Sequence, residues 1–235
     1  MPWDFWLIFL FLAVVIPWRG LRRLKQLMAK PPLAPKEKIM LYAATIAFQW
    51  LLAGVVAWRA VARGMTFAQL GLASGNYLAI SLASVIGGLL LGLLHWVNLR
   101  RMGSIQNPAI EKFRALAARL LPRTPIEFLP YSALAITAGI CEEFVFRGFA
   151  MGALARAGWN VTLIAIFTSV LFGLAHAYQG RGGIFGTALL GFVFAIGRLA
   201  YHSVVPVVVW HAALDLVAGI AGARYLLGTA RGTHE

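Results

Sequence analysis

Residues 138–150 read AGICEEFVFRGFA and place three charged side chains inside an apolar run. A charged side chain at bilayer depth costs at least about 2.5 to 3.5 kcal/mol on insertion scales, so each one requires a partner or a function. At about 100° per residue, Glu143 and Arg147 lie on one helix face, whereas Glu142 points about 140° away from Arg147. We therefore predict a Glu143–Arg147 ion pair and a free Glu142 carboxylate that serves as a proton acceptor.

The whole chain has the composition of a membrane protein. Of its 235 residues, 60% are hydrophobic and 12% are charged, against about 25% charged in an average soluble domain. Seven apolar runs lie near residues 3–18, 39–62, 77–98, 127–155, 160–177, 183–201 and 203–222. Because helices satisfy their own backbone hydrogen bonds in lipid, the runs predict an all-α, polytopic transmembrane helical bundle of about seven spans.

The basic residues lie between the apolar runs, chiefly in residues 19–38 and 100–125. The net charge of +13 would suit nucleic acid, but the basic side chains form neither one arm nor an alternation with aromatic residues. By the positive-inside rule both segments are cytoplasmic, and the N-terminus is then outside. We therefore expect the lipid bilayer as a partner and no nucleic acid.

One segment between the runs has a helical pattern of its own. Residues 108–121 read PAIEKFRALAARLL, begin with a proline and place apolar side chains at helical spacing opposite charged ones. This pattern predicts one interfacial amphipathic helix on the cytoplasmic surface.

Three further ionisable side chains fall in the later runs, at His176, His211 and Asp215. His211 and Asp215 stand four residues apart and share a helix face. If the runs pack as a bundle, these three side chains and Glu142 point into one internal cavity. Small residues that allow close helix packing stand one to two turns before Glu142: Ala135, Ala138 and Gly139.

Three motifs follow one another on successive predicted helices. EEFVFR (142–147) fits Glu-Glu-x-x-x-Arg, FGLAH (172–176) fits Phe-x-x-x-His, and HAALD (211–215) fits His-x-x-x-(Asn/Asp). In this order and at these separations they resemble the CAAX prenyl endopeptidase and bacteriocin-processing family of intramembrane proteases, often called CPBP or ABI. The resemblance divides the chain into N-terminal transmembrane helices with basic loops (1–126), a protease core (127–222) and a short tail (223–235).

The resemblance implies a metal-independent, glutamic-type endopeptidase that needs no cofactor. Glu142 would activate water with the help of His176, and the predicted ion pair beside Glu142 would support both. His211 and Asp215 match the two positions that stabilise the oxyanion, although CAAX-processing relatives usually carry Asn at the second. Because a carboxylate donates no hydrogen bond unless it is protonated, Asp215 would instead orient His211.

The resemblance also implies a membrane-anchored protein or peptide as substrate and, for a bacterial relative, the inner membrane as location. The candidate substrates are prenylated C-terminal motifs, leader peptides, membrane-anchored peptides and C-terminal sorting helices. The sequence does not choose among them, and it does not give the oligomeric state.

Three alternatives remain open at this point. Two carboxylates and two histidines could bind zinc as in a metalloprotease, although the chain lacks His-Glu-x-x-His. Cys141 could act as a nucleophile, although it points about 100° away from Glu142. Buried charges could also belong to a proton-coupled transporter or to a non-catalytic immunity or scaffold protein, although no related halves are visible.

Overall fold

The structure is a computed structural model and describes residues 1–73 and 75–228. Within these residues the chain forms helices and no strand, which confirms the all-α prediction. Eight helices follow one another in this part of the chain: α1 (Trp3–Met28), α2 (Pro35–Ala62), α3 (Tyr77–Ser104), α4 (Pro108–Leu120), α5 (Pro125–Arg156), α6 (Val161–Ala175), α7 (Ala177–Tyr201) and α8 (Val205–Tyr225). Residues 229–235, most of the predicted tail 223–235, lie outside the described residues.

Six of the helices described are long and apolar enough to cross a membrane. Helix α6 is apolar as well, but its 15 residues span only about 22 Å, less than the roughly 30 Å of hydrocarbon. The predicted seven spans thus correspond to six long helices and one short one. The chain is an integral, multi-pass membrane protein.

Helices α1 and α3 continue well past the C-terminal ends of their predicted apolar runs. Helix α1 continues to Met28 rather than ending near residue 18, and α3 continues to Ser104 rather than ending near residue 98. The added turns carry basic side chains such as Arg23 and Arg101. Hydrophobicity marks where the hydrocarbon ends, whereas the helix continues into the headgroup region because its backbone hydrogen bonds still close there.

The amphipathic segment forms α4, as predicted. The Asn107 side chain accepts a hydrogen bond from the Ala109 backbone N–H at 2.8 Å, so it caps the first turn. Near the other end, Arg119 donates to the backbone oxygens of Leu27 at 2.9 Å and Lys30 at 3.1 Å. These bonds fasten α4 to the C-terminal end of α1.

Helix α5 lies at the centre of the bundle. It packs against α2 and α8, while α8 also packs against α3, and α6 pairs with α7. Within its apolar window 44% of the residues are buried, the highest share among the six long spans. A Cβ atom at Gly139 would lie 2.8 Å from the Val208 backbone oxygen of α8. The predicted close approach at the small residues is thus confirmed.

Helix α5 changes its hydrogen-bond pattern partway along its length. Residues Phe144–Ala150 form a π-helical turn that begins directly after Glu143. π-Bulges frequently occur at functional sites. The side chains before and after this turn build the site described next.

Candidate active site

Glu142 lines a cavity of about 440 Å³ enclosed mainly by apolar side chains. Its side chain is 23% exposed, whereas that of its neighbour Glu143 is 0% exposed. The Gln49 amide of α2 donates from Nε2 to Glu142 Oε1 at 2.8 Å. The other oxygen, Oε2, lies 3.9 Å from His176 Nε2. One carboxylate oxygen is thus held by α2, and the other faces the histidine.

His176 follows the last residue of α6, and its own helix orients the ring. Nδ1 lies 2.9 Å from the Phe172 backbone oxygen. Because a carbonyl only accepts, Nδ1 carries a hydrogen, and Nε2 is the ring nitrogen that faces Glu142. The 3.9 Å gap between Nε2 and Glu142 Oε2 is too long for a direct hydrogen bond and is a distance that one water molecule can bridge.

The predicted ion pair between Glu143 and Arg147 is confirmed. Arg147 Nη1 lies 3.1 Å from Glu143 Oε1, and both side chains are 0% exposed. Arg147 Nη2 donates to the Gly191 backbone oxygen at 3.0 Å, and its guanidinium lies 4.2 Å from the Phe172 ring centroid. A Cβ atom at Gly191 would lie 2.9 Å from Nη2, so any larger residue there would force the guanidinium to shift. Arg147 therefore joins α5, α6 and α7.

His211 of α8 is oriented by Glu143. Its Nδ1 lies 2.7 Å from Glu143 Oε1, and since a carboxylate only accepts, Nδ1 is the donor. Its Nε2 lies 3.6 Å from Asp215 Oδ2. The sequence assigned the orienting role to Asp215, yet the shorter contact is made by Glu143. One buried carboxylate thus holds both Arg147 and His211.

The structure brings only some of the predicted residues to the cavity surface. Glu142, His176 and Asp215 line the cavity. His211 is 5% exposed and is not among the residues that line the cavity, but its Nε2 lies 3.6 Å from the carboxylate of Asp215, which does line it. Cys141 is 2% exposed, packs in the apolar core and is not among the residues that line the cavity.

Three further residues of the site belong to none of the sequence motifs. Gln49 has one visible signal, since it is the single amide in the apolar run 39–62. Tyr131 donates from its hydroxyl to the Asp215 backbone oxygen at 2.8 Å, a contact that no motif announces. His95 of α3 lines the cavity as well.

In the part of the chain that the structure describes, the side chains that could bind a metal are not arranged as a zinc centre. There, no three His, Cys, Asp or Glu side chains come together as a possible ligand group. Catalytic zinc sites use three protein ligands. The zinc alternative therefore lacks a suitable set of side chains within residues 1–73 and 75–228.

Comparison with known proteins gives one match. No curated protein and no solved structure matches the chain. A family model described as Type II CAAX prenyl endopeptidase Rce1-like matches residues 122–217, less than half of the chain. The matched segment contains all three motifs. Residues 122–217 are therefore similar to the type II CAAX prenyl endopeptidases, which confirms the family resemblance drawn from those motifs.

Proposed function

We propose that the chain is a CAAX-type intramembrane endopeptidase in which Glu142 and His176 activate a water molecule. At the level of the family, the match supports a membrane protease acting on a peptide. The observation that carries the finer assignment is the pairing of Glu142 Oε2 and His176 Nε2 at 3.9 Å. Both groups line one mainly apolar cavity inside the bundle.

In the proposed first step, a water molecule lies between these two groups. Glu142 accepts a proton from the water while the His176 lone pair orients it, and the oxygen attacks the scissile carbonyl carbon. The resulting tetrahedral intermediate carries an oxyanion. Glu142 then returns the proton to the amide nitrogen, the C–N bond breaks, and an amine leaves together with a carboxylic acid that still carries the second proton of the water.

The oxyanion needs a hydrogen-bond donor, which we assign to His211. Because Nδ1 donates to Glu143, Nε2 is the ring nitrogen left to act as this donor, and it lies beside Asp215, which lines the cavity. It donates to the oxyanion when the ring carries both protons, and the carboxylates of Glu143 and Asp215 supply the counter-charge. We assign Asp215, 3.6 Å from this nitrogen, to holding it at the cavity wall.

The basic and apolar side chains that line the cavity also favour a particular class of substrate and a membrane location. Arg19 and Arg23 of α1 line it together with apolar side chains of α4. Basic residues near the cytoplasmic headgroups favour an anionic membrane surface. We therefore propose a membrane-anchored protein or peptide as substrate, cleaved in a bacterial inner membrane by a core of residues 127–222. In this proposal residues 1–126 supply further walls of the cavity.

Replacing Glu142 with Gln tests the assignment. The variant should insert and fold, but cleavage should fall at least about 1000-fold because the proton acceptor is lost. Cleavage is measured in proteoliposomes with a quenched fluorescent peptide that ends in a prenylated CAAX sequence. Peptides that accumulate in membranes of cells expressing Glu142→Gln identify natural substrates.

The matched control is Glu111→Gln, the same chemical change at an exposed glutamate of α4 that pairs with Arg114. It should leave cleavage unchanged. Undiminished cleavage by Glu142→Gln would refute the assignment of the proton acceptor. Loss of wild-type cleavage on chelation, restored by zinc, would instead support the metalloprotease alternative.

A further inference from the structure

We infer that Gln49 is a positioning residue for Glu142, supplied by a helix outside the family-matched residues 122–217. The inference rests on the proposed function, since it assigns Gln49 to holding the proton acceptor in its reactive orientation. Gln49 lies on α2 and belongs to none of the three motifs.

The contact between the two side chains has only one chemically sensible orientation. Gln49 Nε2 donates to Glu142 Oε1 at 2.8 Å. If the amide were turned over, its oxygen would face a carboxylate oxygen, and two acceptors repel. With Oε1 of Glu142 held in this way, the other oxygen is the one that faces His176 Nε2. The amide thus selects which carboxylate oxygen meets the water.

The oxygen of the Gln49 amide indicates that this residue does not serve to stabilise the fold. Gln49 Oε1 is buried and has no hydrogen-bond partner among the described residues. A buried acceptor without a donor costs about 1 to 3 kcal/mol. A residue selected only for packing would be apolar at this position. An amide with one satisfied end and one unsatisfied end is more consistent with a functional constraint.

Two further contacts fix the position of α2 along α5. Lys38 Nζ lies 3.1 Å from Glu127 Oε2, and both side chains are buried. One turn further on, the rings of Tyr42 and Tyr131 pack edge to face with centroids 5.6 Å apart. From the Lys38 contact to the Gln49 contact, the residue numbers increase along both helices, so α2 and α5 run parallel. The register they set places Gln49 beside Glu142.

Gln49→Met removes the donor while keeping the length and volume of the side chain. We expect kcat to fall about 10- to 100-fold, because a misplaced catalytic group costs up to about this factor, while KM stays within about threefold. The midpoint of thermal unfolding should not fall, because the unsatisfied acceptor is removed as well. The matched control is Trp50→Phe, a change at the next residue, whose side chain is 51% exposed on the membrane-facing surface. It should leave kcat unchanged.

A double variant separates this inference from the proposed function. If Gln49 acts through Glu142, Gln49→Met adds no further loss in the Glu142→Gln background. Wild-type kcat for Gln49→Met, in a protein that Glu142→Gln inactivates, overturns the positioning role and leaves the proposed function intact. Full activity of Glu142→Gln overturns both.

Infrared spectroscopy gives a readout that does not depend on cleavage. In pH-induced difference spectra, the carboxylate band of Glu142 is the band that Glu142→Gln removes. Gln49→Met should shift this band, because a hydrogen bond to one oxygen changes the carboxylate stretching frequencies. An unshifted band would show that the amide does not bond the carboxylate, and the inference would then be wrong.

Discussion

Two adjacent glutamates have opposite surroundings in this protein. Glu142 reaches the cavity and has one oxygen bound to a neutral amide, whereas Glu143 is fully buried against Arg147 and His211. Successive residues point about 100° apart on a helix, so one turn can present one carboxylate to the cavity and one to the core. The carboxylate that pairs with Arg147 and His211 suits a supporting role, and the other suits proton transfer.

At the residue scale, Asp215 gives a prediction in which two substitutions diverge. Asp215→Asn keeps the shape, gains a donor and restores the residue usual in the resembled family, so cleavage should stay within about threefold of wild type or rise. Asp215→Ala removes the contact to His211, so we expect kcat to fall about tenfold or more. Both are measured with the same prenylated reporter peptide. Equal activity of the two variants would show that Asp215 has no part in placing His211.

At the scale of helices, the crossing of α5 and α8 sets the distance between Glu143 and His211. Gly139 lies at this crossing, less than two turns before Glu143. The contact to α8 is possible because residue 139 is a glycine. The Val208 carbonyl oxygen occupies the space that a Cβ atom at this position would need. The site geometry therefore depends on a residue that takes no part in the chemistry.

Gly139→Ala tests this dependence. The added methyl group should push α8 away, lower the free energy of unfolding by about 1 to 3 kcal/mol and reduce kcat. Gly54→Ala is the control, because a Cβ there meets nothing within 4 Å, and Ala favours the helix by up to about 1 kcal/mol. Unfolding is followed in detergent micelles by tryptophan fluorescence. If Gly139→Ala unfolds like Gly54→Ala, the two helices are not limited by this contact.

At the scale of the whole molecule, ion pairs fasten opposite ends of the bundle. Near the N-terminus, Asp4 accepts from Arg59 at 2.6 Å and from Arg63 at 3.2 Å, which joins α1 to the end of α2. At the start of α2, Lys38 pairs with Glu127. Between these fixed ends, side chains of α1, α2 and α4 line the cavity together with α5 and residues of the remaining helices, so helices outside the matched segment form much of its wall.

The orientation of the bundle in the membrane follows from the basic segments. We expect Phe67→Cys, in the segment between α2 and α3, to face the outside, and Gln106→Cys, between α3 and α4, to face the cytoplasm. In a Cys141→Ser background, a membrane-impermeant maleimide should label the first variant in intact cells and the second only after permeabilisation. The wild-type chain is the control, since the buried Cys141 should stay unlabelled. The reverse pattern would invert the predicted topology.

The sequence by itself determined the class of fold and the local part of the site. Apolar runs of about 20 residues must become helices in lipid, and the amphipathic pattern gave α4 within one residue of its end. The Glu143–Arg147 pair was predictable as well, because residues four apart on a helix are neighbours whatever surrounds them. The shared face of His211 and Asp215 has the same local origin.

Only the tertiary structure decided how those local elements meet. Gln49 lies 93 residues from Glu142, and His211 lies 68 residues from Glu143, so both contacts depend on how α2 and α8 are aligned against α5. That alignment is set by Gly139, by the Lys38–Glu127 pair and by packing between helices, none of which a helical repeat encodes. Helix periodicity fixes which side chains share a face, whereas the register between helices fixes which side chains of two faces touch.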